Sequence, residues 1–227
     1  MPTSSGSAGL SLSQRCLKRG FDLLVSFSGL LLLSWLIGIT YLIASIDTKA
    51  NGFFLQSRVG KNGKYFNVIK IKTMRPVTGI NTTVTRDGDP RITKLGFLIR
   101  KYKLDELPQL INVFFGQMSL VGPRPDVPGF ADKLTGDDRI ILTIRPGITG
   151  PATLAYRDEE KLLAEQDDPE TYNKKIIYPE KVKINREYIE NYSFFRDIVI
   201  LYKTIFNTGN GSLTDSTSNK KPFHNQW

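Results

Sequence analysis

Asp105 and Glu106, adjacent carboxylates in LDELPQL, are the residues of this chain best suited by type and spacing to do chemistry. They fall between the basic run KYK and an apolar, helix-like stretch, LPQLINVFF. One reading is structural: Asp105 as an N-cap, Glu106 in a first helical turn, Pro108 early enough to be tolerated. The other is chemical. A carboxylate at a helix start lies where the dipole favours an anion, its own or a phosphate. Adjacent acids also offer hard oxygens to Mg²⁺, which commonly binds one or two carboxylates together with substrate phosphates.

The cations that could serve such a site stand in stiff contexts. Arg58 lies in QSRVG, Lys70 and Lys72 in KIKTM, Arg100 just before the acidic pair, Arg124 in GPRP and Arg145 in RPGITG. A guanidinium on a rigid loop suits bidentate phosphate binding. Each alone is more simply a surface or lipid-facing group; around one acidic pair, the set suggests a pyrophosphate site. Composition agrees: 31 Lys+Arg against 22 Asp+Glu give a net charge of +9, which calls for an anionic partner. Cys16 is the only cysteine and His224, in a polar tail, the only histidine. A disulfide, a Cys-rich zinc site and a His-based triad are therefore set aside. Chemistry is left to carboxylates, Lys, Tyr, Ser or Thr. There is no Walker-A or G-x-G-x-x-G pattern, against a P-loop kinase or dinucleotide-binding enzyme. No recognised nucleic-acid motif is present, so nucleic acid is not expected as a partner.

These residues need elements to position them. Residues 21–46, FDLLVSFSGLLLLSWLIGITYLIASI, carry charge only at Asp22. As a straight helix they would reach about 39 Å, enough for a hydrocarbon core of about 30 Å. Arg15, Lys18 and Arg19 precede them, and Lys49 to Arg75 contains seven basic residues and no acid. Both flanks thus read as cytoplasmic. A helix that enters and returns would satisfy both, with a break at Ser34, Gly29 or Gly38; a single-pass anchor is the alternative.

Beyond it, Asn62-Gly63 between β-rich runs predicts a hairpin from 53. Residues 76–90 read as a loop and 91–103 as a basic amphipathic helix near the membrane surface. The LDELPQL helix should run to about 115, followed by the stiff loops of 116–130 and 145–154. The acidic 157–170 stretch reads as a solvated face. Over 180–206, Tyr188, Tyr192, Phe195, Val199, Tyr202 and Phe206 recur at helical spacing. That stripe reads as core packing, with an interfacial helix as the alternative. Residues 1–14 and 207–227 are expected to be mobile.

In order over residues 15–206, KRGFDLL, FLQSRVGKNGKYFNVIKIKTM, LDELPQLINVFFGQMSLVGPRP and RPGITG resemble the bacterial sugar transferase family. Its members are monotopic phosphoglycosyl transferases that start glycoconjugate assembly on a polyprenyl phosphate. The resemblance implies a helix-dominated α+β fold, packed as a single monotopic domain with one re-entrant membrane helix, a small β-hairpin and amphipathic interfacial helices. A membrane-associated segment over 15–46 would precede a cytoplasmic catalytic domain over 47–206. The short N-terminus resembles the small members of the family.

It also implies transfer of a sugar-1-phosphate from a UDP-sugar to undecaprenyl phosphate at the cytoplasmic face of the bacterial inner membrane. The donor would be of the UDP-N-acetylhexosamine type and UMP would be released. Asp105 would be the nucleophile of a ping-pong reaction through a phosphoglycosyl-aspartyl intermediate. With Glu106 it would hold Mg²⁺, while Arg100, Arg124, Arg145, Lys72 and Arg58 neutralised phosphates. Membrane lipid and downstream glycosyltransferases would be partners. In one place the chain departs from the pattern: family members usually break the membrane helix at Ser-Pro, and here Trp35 follows Ser34. Other readings remain: direct transfer with Asp105 only a metal ligand, or a non-enzymatic basic module binding anionic lipid.

Overall fold

The computed structural model describes residues 9–77, 85 and 88–206. The first eight residues, most of the 76–90 loop beyond Val77 and the tail with His224 lie outside the described residues. From Gly9 the chain is placed, and Leu10 is already buried in the core.

Helix α1 spans Leu12–Thr48. Ser11 starts it with a capping box: its hydroxyl accepts from Gln14 N, and its N–H donates to Gln14 Oε1 at 2.8 Å. Lys49, in the left-handed conformation at φ 52°, ends it. The expected break at Ser34 is not seen. The helix continues through Trp35, and the Ser34 hydroxyl turns back to Leu31 O at 3.5 Å. Where a proline would remove a backbone donor, Trp35 supplies one. The buried face of α1 is largely polar or small, with Lys18, Asp22, Ser26, Thr40, Ala44 and Thr48. Its outward face is apolar, with Leu24, Leu31, Leu32 and Trp35 exposed. Thr40 and Thr48 donate to carbonyls one turn back, so their hydroxyls are not left unpaired. This is the reverse of a soluble amphipathic helix, and it suits lipid on the outer side.

Strands β1 (Phe53–Val59) and β2 (Tyr65–Ile71) form the predicted antiparallel hairpin, in a register from Phe53↔Ile71 to Val59↔Tyr65. Its 3₁₀ turn, Lys61–Gly63, needs Asn62 at φ 58° and Gly63 at φ 74°, conformations that Asn and Gly adopt readily. Helix α2 (Lys94–Lys101) follows, N-capped by Thr93. Then come a 3₁₀ turn over Leu104–Glu106 and α3 (Gln109–Phe114). The buried Asn112 stitches α3 to the hairpin: its Oδ1 accepts from Ile69 N at 3.0 Å and its Nδ2 donates to Asn67 O at 2.8 Å.

Strands β3 (Ser119–Val121) and β4 (Gly147–Thr149) pair in parallel. A Cβ at Gly147 would lie 2.2 Å from Gly122 N, so only glycine allows the two loops to interlock. Short helices α4 (Pro151–Ala155), α5 (Glu159–Ala164) and α6 (Pro169–Tyr172) lead through a π-helical stretch, Asn173–Ile177, into α7 (Tyr178–Glu190) and α8 (Phe194–Phe206). The single helix expected over 180–206 is thus two helices, and the aromatic stripe divides between them. Tyr188 and Tyr192 turn inward and donate to Asp197, which also pairs with Lys18 of α1 at 2.6 Å. Phe195, Tyr202 and Phe206 turn outward and are exposed. The core proper joins the hairpin, α3, the parallel pair, α7 and α8 around Val68, Val113, Met118, Tyr188 and Ile200.

Candidate active site

Asp105 is not an N-cap. It lies inside the 3₁₀ turn that precedes α3, and Lys103, at φ 56°, folds the chain from α2 into that turn. A left-handed non-glycine residue costs about 1 kcal/mol, a cost often met beside functional groups. The result is a buried carboxylate, 7% exposed, whose Oδ1 has no hydrogen-bond partner among the described residues. Burial, then the charge of Glu106, raises the Asp105 carboxyl above the ordinary range; Lys70, Arg100 and Lys103 oppose this.

Glu106 is tied down. Its Oε1 accepts from Lys70 Nζ at 3.3 Å and from Arg124 Nη2. Burial alone would raise it, but Arg124 and Lys70 outweigh burial and hold the carboxyl far below its usual range. Arg58 lies in the same field: burial and then Arg124 lower its guanidinium to about 10. Its side chain is clamped, donating to Gln56 Oε1 at 3.1 Å and to Pro125 O at 3.0 Å.

Not all the cations foreseen around the pair assemble there. Arg58 and Arg124 do, and Arg100 acts on Asp105 through its charge while pairing with Glu160 of α5. The lysine that reaches Glu106 is Lys70; Lys72 makes no ion pair with a described residue. Arg145 lies elsewhere, donating to Gly116 O at 2.7 Å. Nor is the acidic stretch merely solvated: Glu160 holds Arg100, and Glu159 holds Lys181 of α7 at 2.6 Å.

Asp126 is a further member that sequence reasoning missed. Burial pushes its carboxyl up to about 6 against the pull of Lys181 and Arg58. The folded state therefore disfavours its charge. Stability from this group is complete below the unfolded value near 4 and is lost as pH rises through about 6. Asp126→Asn should stabilise the fold near neutral pH by on the order of 2 kcal/mol, and the gain should vanish below about pH 4. Denaturant titrations across that range measure it; a gain independent of pH would refute the assignment.

The fit to Mg²⁺ rests on Asp105. Its unpartnered oxygen can ligate, and one carboxylate with substrate phosphates suffices for this ion. Glu106 fits less well, since Arg124 and Lys70 already neutralise its charge.

A long helix with an exposed apolar face on a small α+β body, carrying a buried aspartate beside a partly buried glutamate among cations, points to a membrane-associated protein. The chain belongs to the bacterial sugar transferase family, whose model matches residues 13–211. It is 33% identical over 195 residues to the UDP-N-acetylgalactosamine-undecaprenyl-phosphate N-acetylgalactosaminephosphotransferase of Aeromonas hydrophila, covering 83% of this chain and 43% of that protein. It is 36% identical over 196 residues to the undecaprenyl-phosphate glucose phosphotransferase of Komagataeibacter xylinus, covering 83% and 35%. Against the exopolysaccharide production protein ExoY of Rhizobium meliloti, identity is 32% over 204 residues, with 83% of each chain covered. The chain thus spans less than half the length of the first two and most of the third.

Proposed function

We propose that this protein transfers a sugar-1-phosphate from a UDP-sugar to undecaprenyl phosphate, releasing UMP, as the first membrane step of a glycan assembly. The observation that carries this reading is the free, buried oxygen of Asp105 beside Glu106 and its two cations. An oxygen of Asp105 attacks the phosphorus that bears the sugar. The bond from that phosphorus to the bridging oxygen breaks, and UMP leaves with the electron pair. An oxygen of undecaprenyl phosphate then attacks the same phosphorus and displaces the carboxylate. Each in-line step needs positioning and charge neutralisation more than proton transfer. Arg124, Lys70, Arg58 and Arg100 supply the positive field. Mg²⁺ held at Asp105 would add charge neutralisation on the diphosphate.

The donor we assign is a UDP-N-acetylhexosamine, on the likeness to the Aeromonas protein; the Komagataeibacter name carries glucose instead. A UDP-sugar panel with undecaprenyl phosphate tests both points. UMP release with an N-acetylhexosamine donor is the expected result, and no release from any donor would defeat the proposal.

We place the site at the cytoplasmic face of the inner membrane, with both ends of α1 on that side and its exposed apolar face turned to the lipid. Both ends of α1 rest on the same body: Lys18 on Asp197, Tyr41 against Phe53, and Ala44 with Ile71 and Ile99. A straight crossing would put those contacts on opposite sides of the bilayer. Labelling cysteines placed at Gly9 and Asn51 in sealed vesicles should give access from one side only; opposite sides would sink this arrangement.

A further inference from the structure

Arg145, drawn away from Asp105, stands in a second cluster of positive charge. Its guanidinium and that of Arg19 converge on Gly116, where a Cβ would lie 3.2 Å from Arg19 Nη2 and 3.8 Å from Arg145 Nε. Arg19 donates to the carbonyls of Val113 and Phe114 at 2.7 and 2.9 Å. Among the described residues Arg145 uses only Nε, on Gly116 O, which leaves its terminal nitrogens for a ligand. Lys61, at the tip of the hairpin, joins them: burial, then Arg145 and Arg15, lower its ammonium. Arg15, Lys18, Arg19, Lys61 and Arg145 line one cavity of about 40 Å³. Among the described residues Asp22 is the one carboxylate in its wall, and its Oδ1 accepts from Leu120 N at 3.0 Å. Lys18 is spent on Asp197. Arg15, Arg19, Lys61 and Arg145 form no ion pair among the described residues. Neighbouring cations repel one another unless an anion is shared between them. The lining has no residue in common with the Asp105–Glu106 cluster.

Position names the anion. Arg15 and Arg19 stand just before the apolar stretch that begins at residue 21, the level of a bilayer's phosphates. We propose that this cavity is a second anion site, one that takes the phosphate of an anionic phospholipid headgroup and anchors the N-terminal end of α1 to the hairpin tip and the loop before β4. Arg145 is a ligand of this site.

The test uses the full chain in neutral detergent and reads melting temperature, without turnover, so it stands apart from the transferase reading. Short-chain phosphatidylglycerol should raise the melting temperature; phosphatidylcholine and inorganic phosphate should not. Lys61→Gln, in the half-buried hairpin turn, should bind phosphatidylglycerol about fivefold more weakly, the effect of one cation near a lipid surface. Lys61→Arg should restore binding. Arg145→Gln should abolish the shift if it folds; Lys61→Gln decides the matter if it does not. An equal response to phosphatidylcholine, an equal response to inorganic phosphate, or unchanged binding by Lys61→Gln would each overturn the proposal.

Discussion

Asp105→Asn should lower turnover by on the order of 10³-fold or more, as removal of a nucleophile does, while the melting temperature stays level or rises. The two halves of this result come from one fact. Burial and the neighbouring Glu106 raise the Asp105 carboxyl, so the folded protein disfavours its charge. Asparagine keeps the shape and drops the charge. Whatever stability the ionised group costs near neutral pH is then recovered. A buried carboxyl whose charge the fold disfavours, with no partner for Oδ1 among the described residues, is poorly explained as a structural residue. Incubated with donor and no acceptor, the wild type should gain the mass of one sugar phosphate, and Asp105→Asn should gain none. Near-normal turnover in the variant would end the nucleophile assignment. An inactive variant that has lost the metal dependence of melting, from a wild type that never gains mass, would instead favour direct transfer with Asp105 as a metal ligand.

Local signals carried well into the structure. Asn62-Gly63 marks the hairpin because those residues accept the positive φ that the turn demands. The Gly/Pro-framed loops are stiff because Gly122 and Gly147 must approach within van der Waals distance. What sequence could not resolve was partition. Lys70 and Lys72 are two residues apart, so alternation puts both on one face, and only the docking of α3 through Asn112 decides which one meets Glu106. GPRP and RPGITG look equivalent as strings. Yet Arg124 follows β3, whereas Arg145 precedes β4 and reaches Gly116, at the end where both parallel strands begin. The aromatic stripe of 188–206 has one period but two destinations, because the chain breaks between α7 and α8 and Asp197 draws the first two tyrosines inward. Charge runs misled most. The acidic 157–170 stretch is paired across the fold through Glu159 and Glu160, a long-range fact with no local signature.

Glu106→Gln should cut turnover by on the order of 10²-fold, the cost of misplacing the groups that hold a substrate. The KM for donor should fall or stay level. Glu106 Oε1 is the common partner of Lys70 and Arg124. Glutamine would leave those cations without their counter-charge, free to grip the diphosphate in the ground state, where added binding does not speed the reaction. The fold should lose about 1–3 kcal/mol, since half-buried cations are left partly unpaired. Mg²⁺ titration separates this role from ligation. Loss of a metal-site partner typically weakens affinity about 10–100-fold, and excess metal would then restore turnover. If Glu106 only positions the cations, half-saturation by Mg²⁺ stays near the wild-type value and excess metal restores nothing. The pH profile gives a second check. The two cations keep the Glu106 carboxyl far below its usual range, so it does not set the acid limb of activity, whereas the raised carboxyl of Asp105 does. With Glu106 neutral, the repulsion that raises Asp105 is gone. The acid limb of Glu106→Gln should therefore move to lower pH even as the maximum falls, and a limb that stayed in place would mean the two carboxylates do not act on one another.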